Sequence, residues 1–265
     1  MHKVHHLNCG TMRPLATPGG IVCHVLLVET PSGLVLVDSG VGLRDVADPA
    51  GRVGPARFYI RPAFSPAEAA VNQVRQLGFD PNDVRHIVLT HFDGDHTGGL
   101  ADFPWAQVHL TSAENRAALH PSTAVERGRY LASHRDHSPI LVEHSPTDHA
   151  WRGFAGATEL SAIAPGIVLI PLSGHSRGHA AVAVDAGTHW VLHVGDAFFH
   201  RHQITRAGRT PLGLAALERM VAHDWRKVQG NHRQLAALWQ ASDPDLILVN
   251  GHDPELLRRA QELGS

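Results

Sequence analysis

Residues 91–96, His-Phe-Asp-Gly-Asp-His, place two imidazoles and two carboxylates in one short window. They follow the apolar run 86–90, His-Ile-Val-Leu-Thr, so the window reads as a loop leaving a buried strand. A strand end holds such a loop rigidly, and alternation with small or apolar spacers sends the side chains toward two neighbouring points. That pattern suits a pair of metal ions. By accident it would arise in roughly one chain in 150 of this composition, so residues elsewhere must decide the matter.

Three further positions repeat the same logic, a ligand-type residue just past an apolar strand. The run 168–172 leads into Ser-Gly-His-Ser-Arg-Gly-His at 173–179, the run 190–194 into Gly195-Asp196, and the run 246–250 into Gly251-His252. Glycine precedes His175, Asp196 and His252, which lets the backbone approach a crowded centre. His179 reads as a supporting or core histidine beside His175, and His193 as structural. Four strand ends delivering His and Asp form a stronger signal than any one motif.

The elements that must position these residues alternate between strand and helix. Residues 21–29 and 34–38 read as a β-hairpin, and 43–64, rich in Gly, Pro and Arg, as a loop. A helix is predicted from Ser65 as N-cap, with Pro66 at its first position and Glu68 completing a capping box. Val71, Val74 and Leu77 share one face of it, and Gly78 ends it. Strands follow at 86–90 and 107–110, then a helix opening at Thr111 with Glu114 as a second capping box, and another over 123–133. Residues 134–156 show no period and read as an irregular, His-rich insertion near a site. Strands at 166–172, 180–185, 189–194 and 245–250 and helices at 212–223, 226–241 and from Pro254 complete the pattern. Two packed sheets with helices outside are expected, in one domain over 1–265 with a cap-like segment at about 120–157.

At 265 residues and a formal charge of −2, the chain offers no basic face for nucleic acid or an anionic membrane, so a small-molecule substrate is expected. Its 22 histidines exceed what one site can use, so most must be solvated or satisfied locally. Cys9 and Cys23 read as reduced thiols, no signal sequence or membrane span is visible, and a cytoplasmic protein is expected.

On Asp38 after the hairpin, 91–96, His175, Asp196 and His252, taken in order, the chain resembles the metallo-β-lactamase superfamily. The resemblance implies a four-layer αββα sandwich with a dinuclear site between the sheet edges. It implies that His91, Asp93 and His175 hold a first metal, that Asp95, His96 and His252 hold a second, and that Asp196 bridges them. Asp38 would be a buried tether. Where the family usually has His-x-His-x-Asp-His, this chain has Asp93. The exchange raises the anionic ligands from two to three and makes two divalent ions plus a bridging hydroxide formally neutral. An oxygen ligand favours harder ions, so iron or manganese stands beside zinc, the first expectation.

The function expected is a metal-dependent hydrolase acting on an ester, lactone, thioester or amide bond through a metal-bridging hydroxide, with Asp95 as both ligand and proton shuttle. Residues 43–64 and 134–156 with Phe198, Phe199 and His200 are the expected substrate contacts. Phe199 stands where related acyl-homoserine lactonases carry a tyrosine, which weakens a lactonase reading. The rivals are a di-iron oxidoreductase of the same fold, a nuclease-type member and a non-catalytic one. A mononuclear site, with Asp93 turned away, is the alternative at the metals.

Overall fold

Alternation along the central strands sorts the apolar side chains into separate layers of core. A computed structural model describes residues 2–263. Strands β1 (Lys3–Met12), β2 (Ile21–Thr30), β3 (Gly33–Val37), β4 (Val84–Val88), β5 (Gln107–Thr111) and β6 (Ile140–His144) form one sheet in that order. β7 (Ala150–Trp151) and β8 (Phe154–Ala155) make a small hairpin. β9 (Thr158–Glu159), β10 (Ile167–Pro171), β11 (Ala180–Asp185), β12 (Trp190–His193) and β13 (Leu246–Val249) form the second sheet, ordered β13-β12-β11-β10-β9. The helices are α1 (Leu43–Ala47), α2 (Pro49–Arg52), α3 (Arg57–Ile60), α4 (Ala70–Gln76), α5 (Gly94–Thr97), α6 (Ser112–Leu119), α7 (Ala124–Arg129), α8 (His202–Thr205), α9 (Leu212–Val221), α10 (Trp225–Gln240) and α11 (Pro254–Leu263). None is long and apolar enough to cross a membrane.

The period of two in a strand sends successive side chains to opposite faces. Leu26, Val28, Val35 and Val37 meet Leu169, Val182, Val184, Val191 and Val249 between the sheets. Their neighbours Val25, Leu27, Leu34 and Leu36 pack outward with residues of α4 and α6. In the second sheet Ile170, Ala181, Leu192 and Leu248 pack outward with Leu235 of α10 and Leu256 of α11. This is the four-layer αββα sandwich expected. Both sheets are therefore covered on both faces, and their loops are free to meet only at the edges.

Several local readings need correction. Residues 43–64 are not a plain loop; they carry α1, α2 and α3. Ser65 caps nothing with its side chain, and residues 66–68 form a separate 3₁₀ turn before α4. Glu68 is drawn away from its expected box because Thr11, from a distant strand, donates both its N–H and its hydroxyl to it. Leu77 is exposed rather than on the buried face. Residues 134–156 are not irregular throughout. They include β6, whose parallel pairing with β5 completes the first sheet, and the β7–β8 hairpin. A short strand with half-buried residues carries little hydrophobic alternation, which is why its period does not show.

The cap of α7 is built as a reciprocal box. Thr123 Oγ1 accepts from the Glu126 N–H, while Glu126 accepts from the N–H groups of Ser122 and Thr123. Arg177 also donates to both Glu126 oxygens. Burial pulls this carboxyl upward, but Arg177 and the Ser122 and Thr123 donors overcome it and hold it at about 2.

Two outcomes follow for stability. Leu169→Ala, which opens a hole between the sheets, lowers stability by about 2–5 kcal/mol, read as a lower urea midpoint at unchanged slope. Because Glu126 is depressed from 4.5 to about 2 on folding, its contribution is present above pH 4.5 and is lost as pH falls toward 2. Glu126→Gln is therefore less stable than the native chain at neutral pH, and the gap narrows as urea midpoints are taken down through that window.

Candidate metal centre

The hairpin β2–β3 ends on Asp38, whose backbone is left-handed at φ 60°. That turn drives its carboxylate under the site. Asp38 Oδ1 accepts from the Thr90 N–H, and Oδ2 accepts from both Thr90 Oγ1 and His96 Nδ1. Thr90 has one hydroxyl proton and gives it to Asp38, so it accepts from His91 Nδ1 at 3.0 Å. His252 Nδ1 donates to the Val22 carbonyl. Each of these three imidazoles is thus fixed with Nδ1 protonated and directs its Nε2 lone pair away from the anchor.

Those lone pairs point at carboxylates. His252 Nε2 lies 3.1 Å and His175 Nε2 3.5 Å from Asp196 Oδ2, while His96 Nε2 lies 3.2 Å from Asp196 Oδ1. His175 and His91 Nε2 stand 3.0 and 3.5 Å from Asp93 Oδ2, and His252 Nε2 3.6 Å from Asp95 Oδ2. Two groups result, His91–Asp93–His175–Asp196 and Asp95–His96–His252, each with its ligand atoms within 4.8 Å of one another. Asp196 joins them, since its two oxygens face members of both. All seven candidate ligands read from the sequence are brought together, and Asp93 faces inward.

The residues fit a pair of cations. His91 Nε2, His96 Nε2 and Asp196 Oδ1 are buried without a hydrogen-bond partner, an arrangement of acceptors facing acceptors that only positive charge relieves. Without a cation, protons answer the same field. Burial opposes charge on His252 and His96, yet Asp196 and Asp95, joined for His96 by Asp38, override it. His252 rises to about 9, and His96 well above its ordinary value. Burial and the nearby Arg129 charge push His175 down to about 4, leaving it a neutral imidazole.

Gly195, at φ +49°, and Gly251 allow the close approach. A Cβ at 195 would stand 2.8 Å from Thr90 and His179 atoms, and one at 251 would stand 2.8 Å from Asp196 Oδ1. His179 supports rather than joins the centre: its Nε2 accepts from the Asp196 N–H and its Nδ1 donates to Leu172 O. His193 donates to the His24 carbonyl. Other histidines pair among themselves, as in His86–His109–His144, linked at 3.0 Å each. Cys9 and Cys23 are free and buried.

Two site residues have no counterpart in the sequence reading. Glu114 joins the ligand loops by accepting from Phe92 N and Tyr130 Oη at one oxygen and from Ser176 Oγ and Gly178 N at the other. Arg129, buried at the end of α7, places its Nε 3.1 Å from Asp93 Oδ1. A capping-box position hinted at Glu114 for the wrong reason; nothing local marks Arg129.

A cavity of about 340 Å³ opens over the centre. Its floor is Asp93, Asp95, His175, Asp196 and His252, and its walls include Met12, Ile21, Val41, Tyr59, Ile60, Leu217 and Met220. Residues 43–64 do line it, as does α9, which was not foreseen. Of 134–156 only His134 reaches it. Phe199 lines the cavity, packed on the rings of His175 and His252. Phe198 is wholly buried in the outer core of the second sheet, and His200 borders a neighbouring depression instead.

Comparison with known proteins agrees with this fold. The family model for the metallo-β-lactamase superfamily matches residues 18–252. A protein of Mycobacterium tuberculosis named a probable metallo-hydrolase is 52% identical over 260 residues, covering 98% of this chain and 83% of its own. The N-acyl homoserine lactonase AttM of Rhizobium johnstonii is 35% identical over 160 residues, 60% of this chain and 57% of its own. A solved N-acyl homoserine lactone hydrolase, with N-hexanoyl-L-homoserine at its catalytic metal centre, superposes with a TM-score of 0.67. It is 21% identical and covers 97% of this chain and 95% of that one.

Asp38→Ala should weaken metal binding by about 10–100-fold, because it frees the Nδ1 anchor of His96 while leaving every candidate ligand in place. Chelator competition on the purified variant measures this, and unchanged affinity would remove Asp38 from the centre.

Proposed function

The chain belongs to the metallo-β-lactamase superfamily and is a metallo-hydrolase; from that premise we propose that it cleaves an ester or lactone bond of a small, largely apolar molecule at a dinuclear metal centre. The observation that carries this reading is the cavity itself, whose apolar walls descend onto a floor made of both donor groups. The names of its relatives, lactonases among them, favour the same bond class. Thioester and amide bonds are the remaining candidates of the same carbonyl chemistry.

In this reading His91, Asp93 and His175 would hold one cation and Asp95, His96 and His252 the other, with Asp196, whose oxygens face both groups, available to each. Two divalent ions bound there, zinc in the first instance, would acidify a shared water to hydroxide near neutral pH and polarise the scissile carbonyl. The protein supplies the rest. Asp95 is part-exposed at the cavity floor, with Oδ2 3.6 Å from His252 Nε2, and so can carry a proton between the centre and the leaving oxygen. The Thr90, Asp38 and Val22 anchors keep the imidazoles of His91, His96 and His252 from rotating as charge develops. Phe199 covers His175 and His252 with an apolar ring and excludes water without offering a hydroxyl. Met12, Ile21, Val41 and Leu217 hold the apolar part of the substrate. Residues 1–265 act as one unit, with 120–157 serving the site through α7.

The carboxylate at Asp93 keeps iron or manganese, and with iron an oxidoreductase, as the second reading. Elemental analysis of protein purified without added metal, paired with a lactone, ester and thioester screen, separates the two. Two equivalents of zinc with hydrolysis of an apolar lactone or ester are expected. Asp196→Ala should lose both metals and more activity than the roughly 100-fold that an outer hydrogen-bond partner is worth. A variant with full metal content and rate would end the bridging assignment.

A further inference from the structure

The donor set of this centre is unusually anionic, three carboxylates among four imidazoles, and one buried cation of the protein itself stands against it. Arg129 comes from α7, outside both sheets, yet its side chain is only 5% exposed. Each part of the guanidinium has a separate partner. Nη1 donates to the His175 carbonyl and Nη2 to the Val221 carbonyl, while Nε faces Asp93 Oδ1 at 3.1 Å. Asp93 divides its oxygens accordingly, since Oδ2 is the one turned to His175 and His91. Two carbonyls on different elements leave the guanidinium no other rotation, so its charge is fixed on the outer face of Asp93.

We propose that Arg129 is a positioning residue of the metal centre, forming with Asp93 a formally neutral Asp–Arg unit that takes the place of a single neutral imidazole ligand. This rests on the dinuclear reading above. Three carboxylates bring −3 to the centre; with Arg129 the balance is −2. The guanidinium also leaves Oδ2 as the oxygen free to ligate, and it ties the 120–157 segment to the ligand loop that carries His175. Removing either partner leaves the other as an uncompensated buried charge, which is costly, whereas removing both leaves none. The two positions should therefore be strongly coupled rather than additive.

A double-variant cycle tests the pairing through metal binding rather than turnover. Native protein, Asp93→His, Arg129→Gln and the double variant are purified, stripped and titrated with zinc against a chromophoric chelator. Circular dichroism of each stripped protein confirms folding. Each single variant is expected to lose about 10–100-fold in affinity at the first site, and the double variant to return to within about threefold of native. Arg129→Lys, which keeps the charge and folds most conservatively, should retain most of the native affinity and serves where Arg129→Gln fails to fold. Losses in the double variant that multiply those of the singles would overturn the pairing, as would an Arg129→Gln affinity equal to native. If Arg129→Gln does not fold, Arg129→Lys losing as much affinity as Asp93→His overturns it. A native protein that binds no zinc would instead refute the dinuclear reading itself, so the two failures are distinguishable.

Discussion

Seven side chains that offer only lone pairs or negative charge meet at one point of this molecule, and most of them are buried. Such a cluster repels itself in a medium that screens poorly, and charge of opposite sign must answer it. Much else in the structure can be understood as the means of holding that arrangement. Three of the four imidazoles, those of His91, His96 and His252, cannot escape by rotation because their Nδ1 atoms are spent on Thr90, Asp38 and Val22. The Asp196 backbone is held in place, since its own N–H is given to His179 and a Cβ on neighbouring Gly195 would meet Thr90 at 2.8 Å.

The sandwich makes this affordable. Both sheets are covered on both faces, so the apolar side chains that alternate inward and outward along β2, β3, β10 and β11 hold the strand ends in place. The ends of β4, β10, β12 and β13 are then fixed frames on which loops can carry charge. Glu114 adds a brace across the frames. One oxygen takes the Phe92 amide from the first half and the other takes Ser176 and Gly178 from the second. A buried carboxylate with four donors is well satisfied, unlike those of the centre, and the contrast separates a structural acid from ligand-type ones.

That same contrast explains how much could be read without coordinates. The layers, the strands that lead into the site and the seven side chains the fold brings together were legible, because each depends on a local pattern, a run of apolar residues leading into His or Asp; the ten-residue edge strand β1, whose Lys3–Met12 run is rich in His and Asn, was not. Asp38 was legible as a tether through the resemblance, and its left-handed backbone gives the physical reason for its place. What failed was decided by distant partners. Glu68 left its capping box for Thr11, and Glu114, whose N–H does bond the Thr111 cap, turns its carboxylate to two loops instead of back to the cap. Phe198 and Phe199 are adjacent, yet one enters the core and the other the cavity. Arg129 had no signal at all, since its partners Asp93, His175 and Val221 come from three separate stretches of chain.

Floor and walls of the cavity therefore differ in origin. The floor is built from strand ends, where position is enforced by two cores and altering one residue disturbs several hydrogen bonds. Met12 and Ile21 reach the walls from the ends of β1 and β2, but much of the rest comes from α3, α7 and α9, short helices outside the sheets, with Tyr59, Val125 and Met220 exposed at the rim. Residues there can change size or polarity without touching Thr90, Asp38 or Glu114. The candidate centre is thus anchored in the sandwich, while much of the cavity wall lies in segments the sandwich only carries. Arg129 is the exception: it sits on a wall helix but reaches the floor, so α7 cannot drift freely. It links a wall of the cavity to its floor.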